Sequence, residues 1–311
     1  MLRRLLPRSL LLTSLWLCHA GPVLAGAEPM PLTPGVDLIG APASLEADAD
    51  DTLIDIARRF GLGYEEIVNA NRGVDPWLPG AGTPVTLPTR RVLPRGKREG
   101  ILINLPEHRL YYFPAVAAGG QPTVMSYPVS IGKMDWNTPL GVTRISAKIK
   151  DPTWTPPKSV RDEHALRGDI LPEVVPAGPD NPLGLFAMRL AIPGGAYMLH
   201  GTNRPAGVGM QVTHGCMRLY PEDVEQLFGM VSVGTPVQIV NQPFKLGWDG
   251  DALWLEVHPP LQEDAGTAPD LTELMRLIVE ETHTHALPID WQAAQRAYED
   301  ANGIPVLITT K

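Results

Sequence analysis

The chain has 311 residues and 44 % hydrophobic content, enough for two or three modest domains with real cores. Its formal charge of −8 excludes nucleic-acid binding through a general basic surface. Its 33 prolines and 30 glycines favour short strands and frequent turns over a helical bundle.

The N-terminus reads as an address. Arg3, Arg4 and Arg8 precede an apolar run from Ser9 to Cys18, and Gly21-Pro22 break that run. Small residues then suit cleavage after Ala25 or Ala27, so residues 1–25 are expected to be a signal peptide. The run is too short to span a bilayer, so no permanent membrane anchor is expected. A periplasmic or secreted product follows. Losing the three arginines moves the formal charge from −8 to −11, and losing Cys18 leaves Cys216 alone. A lone cysteine has no intramolecular disulfide open to it and is either an idle buried thiol or a reactive one.

Residues 36–88 read as a small module. Asp51 is placed to cap a helix that carries Leu53, Ile56, Ala57 and Phe60 on one face and ends at Gly61. A second helix is predicted from Tyr64 to Ala70, and Val85-Thr86-Leu87 as a closing strand. The pattern Asp51-Thr52-Leu53, Ile56-Ala57, Asn69-Ala70-Asn71, Leu78-Pro79-Gly80 and Leu87-Pro88 resembles a LysM repeat. That resemblance implies a small α+β domain, two helices on a two-stranded sheet, that binds peptidoglycan glycan. A purely structural adaptor is the competing reading. Arg90 to Gly100 is basic and turn-rich and is expected to be a linker.

From Ile101 strands dominate. Ile101–Leu105 and Arg109–Phe113 predict a hairpin, with further strands at Thr123–Ile131, Val142–Ile149, Leu185–Ala191, Ala196–His200 and Pro236–Val240. The spacing predicts a compact β-sandwich with long loops between about 150 and 184. One helix interrupts it: Pro221 suits a first turn, Glu222 and Asp223 favour the positive helix end, and Val224, Leu227 and Phe228 share a face. Residues 244–311 are expected to form a small α/β accessory region, with a strand at Leu253–Val257, helices at Leu271–Glu281 and Trp291–Asp300, and a stop at Gly303-Ile304-Pro305.

The chemistry concentrates between Tyr197 and Leu219, which holds His200-Gly201-Thr202-Asn203 and Thr213-His214-Gly215-Cys216-Met217-Arg218. If the second segment is extended, His214 and Cys216 point to one side. Gly215 permits close backbone approach, so N–H groups around Gly215 and Cys216 can face a substrate carbonyl, as an oxyanion hole requires. A neighbouring imidazole can lower a thiol pKa enough to hold a thiolate near neutral pH, making a Cys–His pair a nucleophile with its base. The bland alternative is a small buried cysteine beside a core histidine. Two histidines, two glycines and an arginine around one lone cysteine weigh against it. No second cysteine or acidic ligand lies nearby in sequence, so no zinc site is expected.

His200-Gly201 followed by Thr213-His214-Gly215-Cys216-Met217-Arg218 resembles the signature of the L,D-transpeptidase catalytic family, the YkuD-type domain. Thr138-Pro139-Leu140-Gly141 matches that family's upstream Thr-Pro-x-Gly element, and Thr213 stands where the family usually has serine. The resemblance covers about residues 98 to 241, taken as the catalytic domain, and implies a mainly β fold that needs no cofactor or metal. It implies that Cys216 attacks the diaminopimelate carbonyl of a tetrapeptide stem and expels the terminal D-alanine. An amine, from another stem peptide or from an outer-membrane lipoprotein, then resolves the acyl-enzyme. His200 is implied as base, oriented by the Gly201 carbonyl. His214 lines the oxyanion side or tunes the thiol, and Arg218 braces the loop or meets a stem carboxylate. Thr213, Thr138 and Asn203 are expected to meet substrate. An L,D-carboxypeptidase using water, or a non-catalytic wall-binding protein, are the alternatives. The other histidines, 108, 164, 258, 283 and 285, are expected at the surface, and Trp136 and Trp154 near the cleft or in the core.

Overall fold

The computed structural model describes residues 26–133, 138–193, 197–284 and 287–310. The expected signal peptide, Trp136, His285 and the Ala196 start of one strand lie outside them. Among the described residues, no helix is long and apolar enough to cross a membrane.

The middle of the chain is built on one hydrogen-bonded sheet of nine strands. In spatial order these are Met30–Pro31, Thr123–Pro128, Arg109–Phe113, Gly100–Asn104, Pro236–Val240, Gly141–Lys150, Phe186–Leu190, Met198–His200 and Met217–Arg218. The predicted hairpin is present, with Ile101 opposite Tyr112 and Ile103 opposite Leu110. The predicted strand Thr123–Ile131 is broken. Ile131–Gly132 leaves the sheet to pair in parallel with Gln211–Thr213.

The strands of the expected β-sandwich form one continuous hydrogen-bonded ladder. Gly141–Lys150 pairs with Pro236–Val240 through its first four residues and with Phe186–Leu190 from Ile145 onward. A register shift falls between Ile145 and Ala147. A bulge of this kind bends a strand and increases its twist. Side chains from both halves share one core, with Ile101, Ile103 and Tyr127 from one side and Met188, Leu199 and Met217 from the other. The sheet therefore folds over on itself about that strand and covers its apolar face without an interruption in the ladder. The helix Pro221–Met230 closes the core with Val224 and Leu227.

Residues 43–87 form a β-α-α-β unit. Ala43–Glu46 pairs antiparallel with Pro84–Leu87, and helices Leu53–Arg59 and Tyr64–Ala70 lie between them in sequence. Leu53, Ile56, Ile67 and Val85 make its own core. The first helix is capped by Thr52, whose hydroxyl accepts the Asp55 amide at 3.0 Å. Asp51, the expected cap, accepts instead from Arg59 at 2.7 Å.

The stretch expected as a linker is largely packed. Arg91–Val92 pairs with Leu38–Ile39, and Arg91 through Pro94 are buried. Arg91 donates to Glu66 at 3.1 Å, and Arg109 approaches the same carboxylate at 3.4 Å while also donating to the Gly61 carbonyl. Gly209 and Gly63 bring the unit against the part of the chain built on the nine-stranded sheet. A Cβ on Gly209 (φ +86) would meet the Gly63 Cα at 2.4 Å, so backbones touch there and no side chain fits.

The C-terminal region pairs Phe244–Asp249, Ala252–Val257 and Val306–Leu307, all antiparallel, with helices Leu271–Thr282 and Trp291–Asp300. It is therefore α+β rather than the expected α/β. A buried ion cluster ties it to the nine-stranded sheet region. The Lys245 ammonium sits 2.6 Å from Glu107 and 2.7 Å from Glu256, and donates to the Val92 carbonyl at 2.7 Å. His258 bonds Glu256 at 2.7 Å. Burial alone would push the Glu107 carboxyl up; the Lys245 and His258 charges overcome it and lower the pKa to about 2. Glu107 thus contributes stability above its ordinary pKa that is lost as pH falls toward 2. His258 and His108 are both buried, the latter bonded to the Gly209 carbonyl at 2.8 Å, which corrects the expected surface placement. Lys245→Met would strand two buried carboxylates. It should cost about 3–5 kcal/mol, read as a lowered midpoint in denaturant at pH 7; an unchanged midpoint would refute the cluster's role.

Candidate active site

Strand alternation decides which residues can act. Met198–His200 and Met217–Arg218 pair in parallel, with Leu199 opposite Met217 and His200 opposite Arg218. Leu199 and Met217 are fully buried in the main core. Side chains alternate along a strand, so His200 and Arg218 point to the other face. The Arg218 charge acts on both His200 and Cys216, and a backbone hydrogen bond from Met198 reaches the Cys216 sulfur.

The segment 214–216 does not meet the condition of an extended chain under which His214 and Cys216 would point to one side. Gly215 takes φ +91, so residues 214–216 bend between Gln211–Thr213 and Met217–Arg218. Only glycine adopts that backbone without strain. Thr213 donates its hydroxyl to the Cys216 carbonyl at 2.5 Å and closes the bend. Thr138 donates to the Gly215 carbonyl at 3.3 Å and accepts the Gly132 amide at 3.3 Å. Thr213 and Thr138 are 1 % and 4 % exposed. Both were expected against substrate, but their hydroxyls are engaged inside the protein and brace the loop. Asn203 is exposed and donates to the Asp180 carbonyl at 3.1 Å, joining its loop to the 150–184 segment.

His200 is buried, and its Nδ1 lies 2.7 Å from the Gly201 carbonyl. A carbonyl only accepts, so Nδ1 carries the proton and the neutral ring's lone pair sits on Nε2. Gly201 has little room for a side chain, since a Cβ would approach Val224 Cγ1 at 3.1 Å. Burial, with the Arg218 charge second, pushes His200 down to about 3, against the Gly201 and Leu183 carbonyls. Burial pushes the Cys216 thiol up, offset in part by the Met198 hydrogen bond and Arg218. Both shifts run against a thiolate–imidazolium pair, because burial disfavours each ion. Arg218 is itself partly desolvated and held down by burial.

His214 is held by a residue the sequence reading missed. Its Nε2 is 3.1 Å from Glu163, on the helix Lys158–Ala165 of the long loop. Lys133 at 3.4 Å and Arg167 at 2.8 Å converge on the same carboxylate, which is held below its usual range chiefly by the His214 bond and Lys133. Glu163 lies 51 residues from His214 in the chain, and no local pattern announces the pair.

Among the described residues, the one group with metal-ligand geometry is Glu107, Glu256 and His258. The Lys245 ammonium already fills the cation position between its carboxylates. A cavity of about 650 Å³ lies elsewhere, lined by residues of the β-α-α-β unit and the start of helix Pro221–Met230, and none of the site residues above borders it.

A family model described as the L,D-transpeptidase catalytic domain matches residues 98–239. The chain is 40 % identical to the probable L,D-transpeptidase YcfS of Escherichia coli, over 91 % of this chain and 88 % of that one. It is 38 % identical to ErfK/SrfK of Salmonella typhimurium over 90 % of each, and 38 % identical to YbiS of Escherichia coli over 80 % and 81 %. The chain belongs to the L,D-transpeptidase family. A crystal structure of L,D-transpeptidase 3 from Mycobacterium tuberculosis is similar at 17 % identity, covering 52 % of this chain and 67 % of that one, with a TM-score of 0.33, too low to argue from.

Alkylation of Cys216 by iodoacetamide should accelerate with pH, with a midpoint above the ordinary thiol value of about 8.5. A midpoint well below it would mean a resting ion pair. His200 binds its proton more weakly folded than unfolded, so stability should fall as pH drops from about 6.5 toward 3. Glu163→Gln removes the charge that holds His214; turnover should fall several-fold with KM changing less, and unaltered turnover would leave Glu163 a surface residue only.

Proposed function

We propose that this chain is an exported, cysteine-dependent L,D-transpeptidase acting on tetrapeptide stems of peptidoglycan. The observation that carries the reading is the His200 tautomer: Nδ1–H is fixed on the Gly201 carbonyl. The Nε2 lone pair is thereby left to take a proton beside Arg218, whose charge also reaches Cys216.

In the proposed reaction the Cys216 thiol passes its proton to His200 Nε2 as sulfur attacks the diaminopimelate carbonyl. The oxyanion is held by backbone N–H groups around Gly215 and Cys216, and Arg218 supplies positive charge. The C–N bond to D-alanine then breaks, and His200 returns the proton to the leaving amine. The acyl group stays on sulfur as a thioester. An acceptor amine gives a proton to His200, attacks the carbonyl and releases the thiol. A lysine of an outer-membrane lipoprotein or a second stem peptide is the proposed acceptor. Water in that role would make the enzyme an L,D-carboxypeptidase.

Residues 36–88 are proposed to be a LysM-type module that holds glycan, residues 98–241 the catalytic domain, 244–311 an accessory region, and 1–25 an export signal to the periplasm. The module reading is supported by the two helices and two-stranded sheet of residues 43–87.

Incubation with a purified tetrapeptide muropeptide and an amine acceptor, followed by mass analysis, tests the activity. D-alanine release with dimers or amine adducts is expected. Cys216→Ala should abolish both, and His200→Gln should slow them by about two orders of magnitude or more. Tripeptide alone would assign the carboxypeptidase. No product from the unaltered protein, or undiminished product from Cys216→Ala, would sink the mechanism.

A further inference from the structure

Two positive side chains at the site are left without a negative partner. Among the described residues, neither Arg204 nor Arg218 forms an ion pair, whereas Lys133 and Arg167 are both spent on Glu163. The sequence holds 34 acidic residues against 26 basic ones, so carboxylates are plentiful, yet none is paired with either arginine. Asp180 is the acidic residue tied to this loop, and it is held by its backbone carbonyl, which accepts from Asn203 at 3.1 Å. Arg218 is half-buried and Arg204 is exposed. Two like charges held together and partly stripped of water carry a cost that an anion between them relieves.

The backbone holds both arginines in place. The buried Thr202 accepts the Arg204 amide on its hydroxyl at 2.9 Å. Pro205 follows and keeps Arg204 out of the helical region, at φ −131 and ψ 74. The turn Pro205–Gly207 ends on a carbonyl that accepts the Ser130 hydroxyl at 2.7 Å. Ser130 in turn exchanges two backbone hydrogen bonds with Arg218, at 2.9 and 3.2 Å. Ser130 therefore ties the Arg204 loop to the strand that carries Arg218. The charges fall in an order: Arg218 acts on Cys216 and His200, and Arg204 acts on Arg218. Arg204 thus stands beyond Arg218 as seen from the sulfur.

The chemistry of the donor says which anion belongs there. The group expelled by Cys216 is D-alanine, whose carboxylate is carried on the carbon next to the departing nitrogen. It is the free carboxylate nearest the reacting carbonyl; the others on a stem hang from a side-chain end or an earlier residue. We propose that Arg204 is a specificity-determining residue that, with Arg218, binds the terminal carboxylate of the donor stem. The inference rests on the transpeptidase reading and gives a physical reason for a donor that ends one residue past the scissile bond. Guanidinium forks match a carboxylate in shape as well as charge. A neutral end, or a carboxylate one residue farther on, leaves the two cations facing each other unrelieved.

Steady-state kinetics with one tetrapeptide muropeptide, ending either in D-alanine or in D-alaninamide, tests the proposal, with the same amine acceptor present throughout. The unaltered chain should favour the acid by about tenfold in kcat/KM. Arg204→Gln should shrink that preference to within about twofold. The change should lie mainly in KM for the acid, because the carboxylate is held equally before and during the reaction. Arg204→Lys should keep part of the preference, as a charge without the fork. Arg296→Gln removes an exposed, unpaired charge from the helix Trp291–Asp300 and should leave the preference unchanged. Thermal unfolding of each variant confirms that it is folded. No preference in the unaltered chain, or one that survives intact in Arg204→Gln, would overturn the proposal. Equal loss in Arg296→Gln would assign the effect to net charge and overturn it as well. No release of either leaving group from the unaltered chain would instead overturn the transpeptidase reading on which the inference rests, so the two failures are seen apart.

Discussion

The parallel pairing of Met198–His200 with Met217–Arg218 is the constraint on which the site depends. Two short strands, each a few residues long, lie side by side at the end of the sheet. Leu199 and Met217 anchor them in the core, and alternation then leaves His200 and Arg218 no choice of face. A one-residue slip would bury the imidazole's neighbours wrongly and turn the base into the core. The apolar pair thus does more for the chemistry than any single polar contact around it.

Around that pairing, backbone groups take the place that acidic side chains hold in many catalytic triads. The Gly201 carbonyl fixes the His200 ring, and the Thr213 and Thr138 hydroxyls fix the carbonyls of Cys216 and Gly215. Neutral partners suit a site where burial already disfavours charge on both sulfur and imidazole. Farther out, two buried ion clusters lock the flanking regions to the same sheet: Glu66 with Arg91 and Arg109 on one side, Lys245 with Glu107 and Glu256 on the other.

What could be read in the sequence was local. The Cys216 and His200 motifs, the hairpin at Ile101, the helix starting at Pro221 and the two helices of residues 43–87 all rest on short-range pattern, and each is present. What escaped was long-range. Glu163 meets His214 across 51 residues, and Arg91 and His258 look like surface groups until the fold brings Glu66 and Glu256 to them. The bend at Gly215 was also hidden, because a glycine is equally at home in an extended strand and at φ +91. The fold of one sheet over a shared strand follows from a bulge between Ile145 and Ala147 that no residue there advertises.

The measurement that bears most directly on the account is the intact mass of the protein after exposure to a carbapenem, whose strained carbonyl offers an acyl group to an activated thiol. The unaltered chain should gain the mass of one drug molecule, located by digestion to the peptide that holds Cys216. The gain should vanish in Cys216→Ala and form more slowly in His200→Gln. No adduct on the unaltered chain, or an adduct that persists without the Cys216 thiol, would contradict the assignment of nucleophile and base.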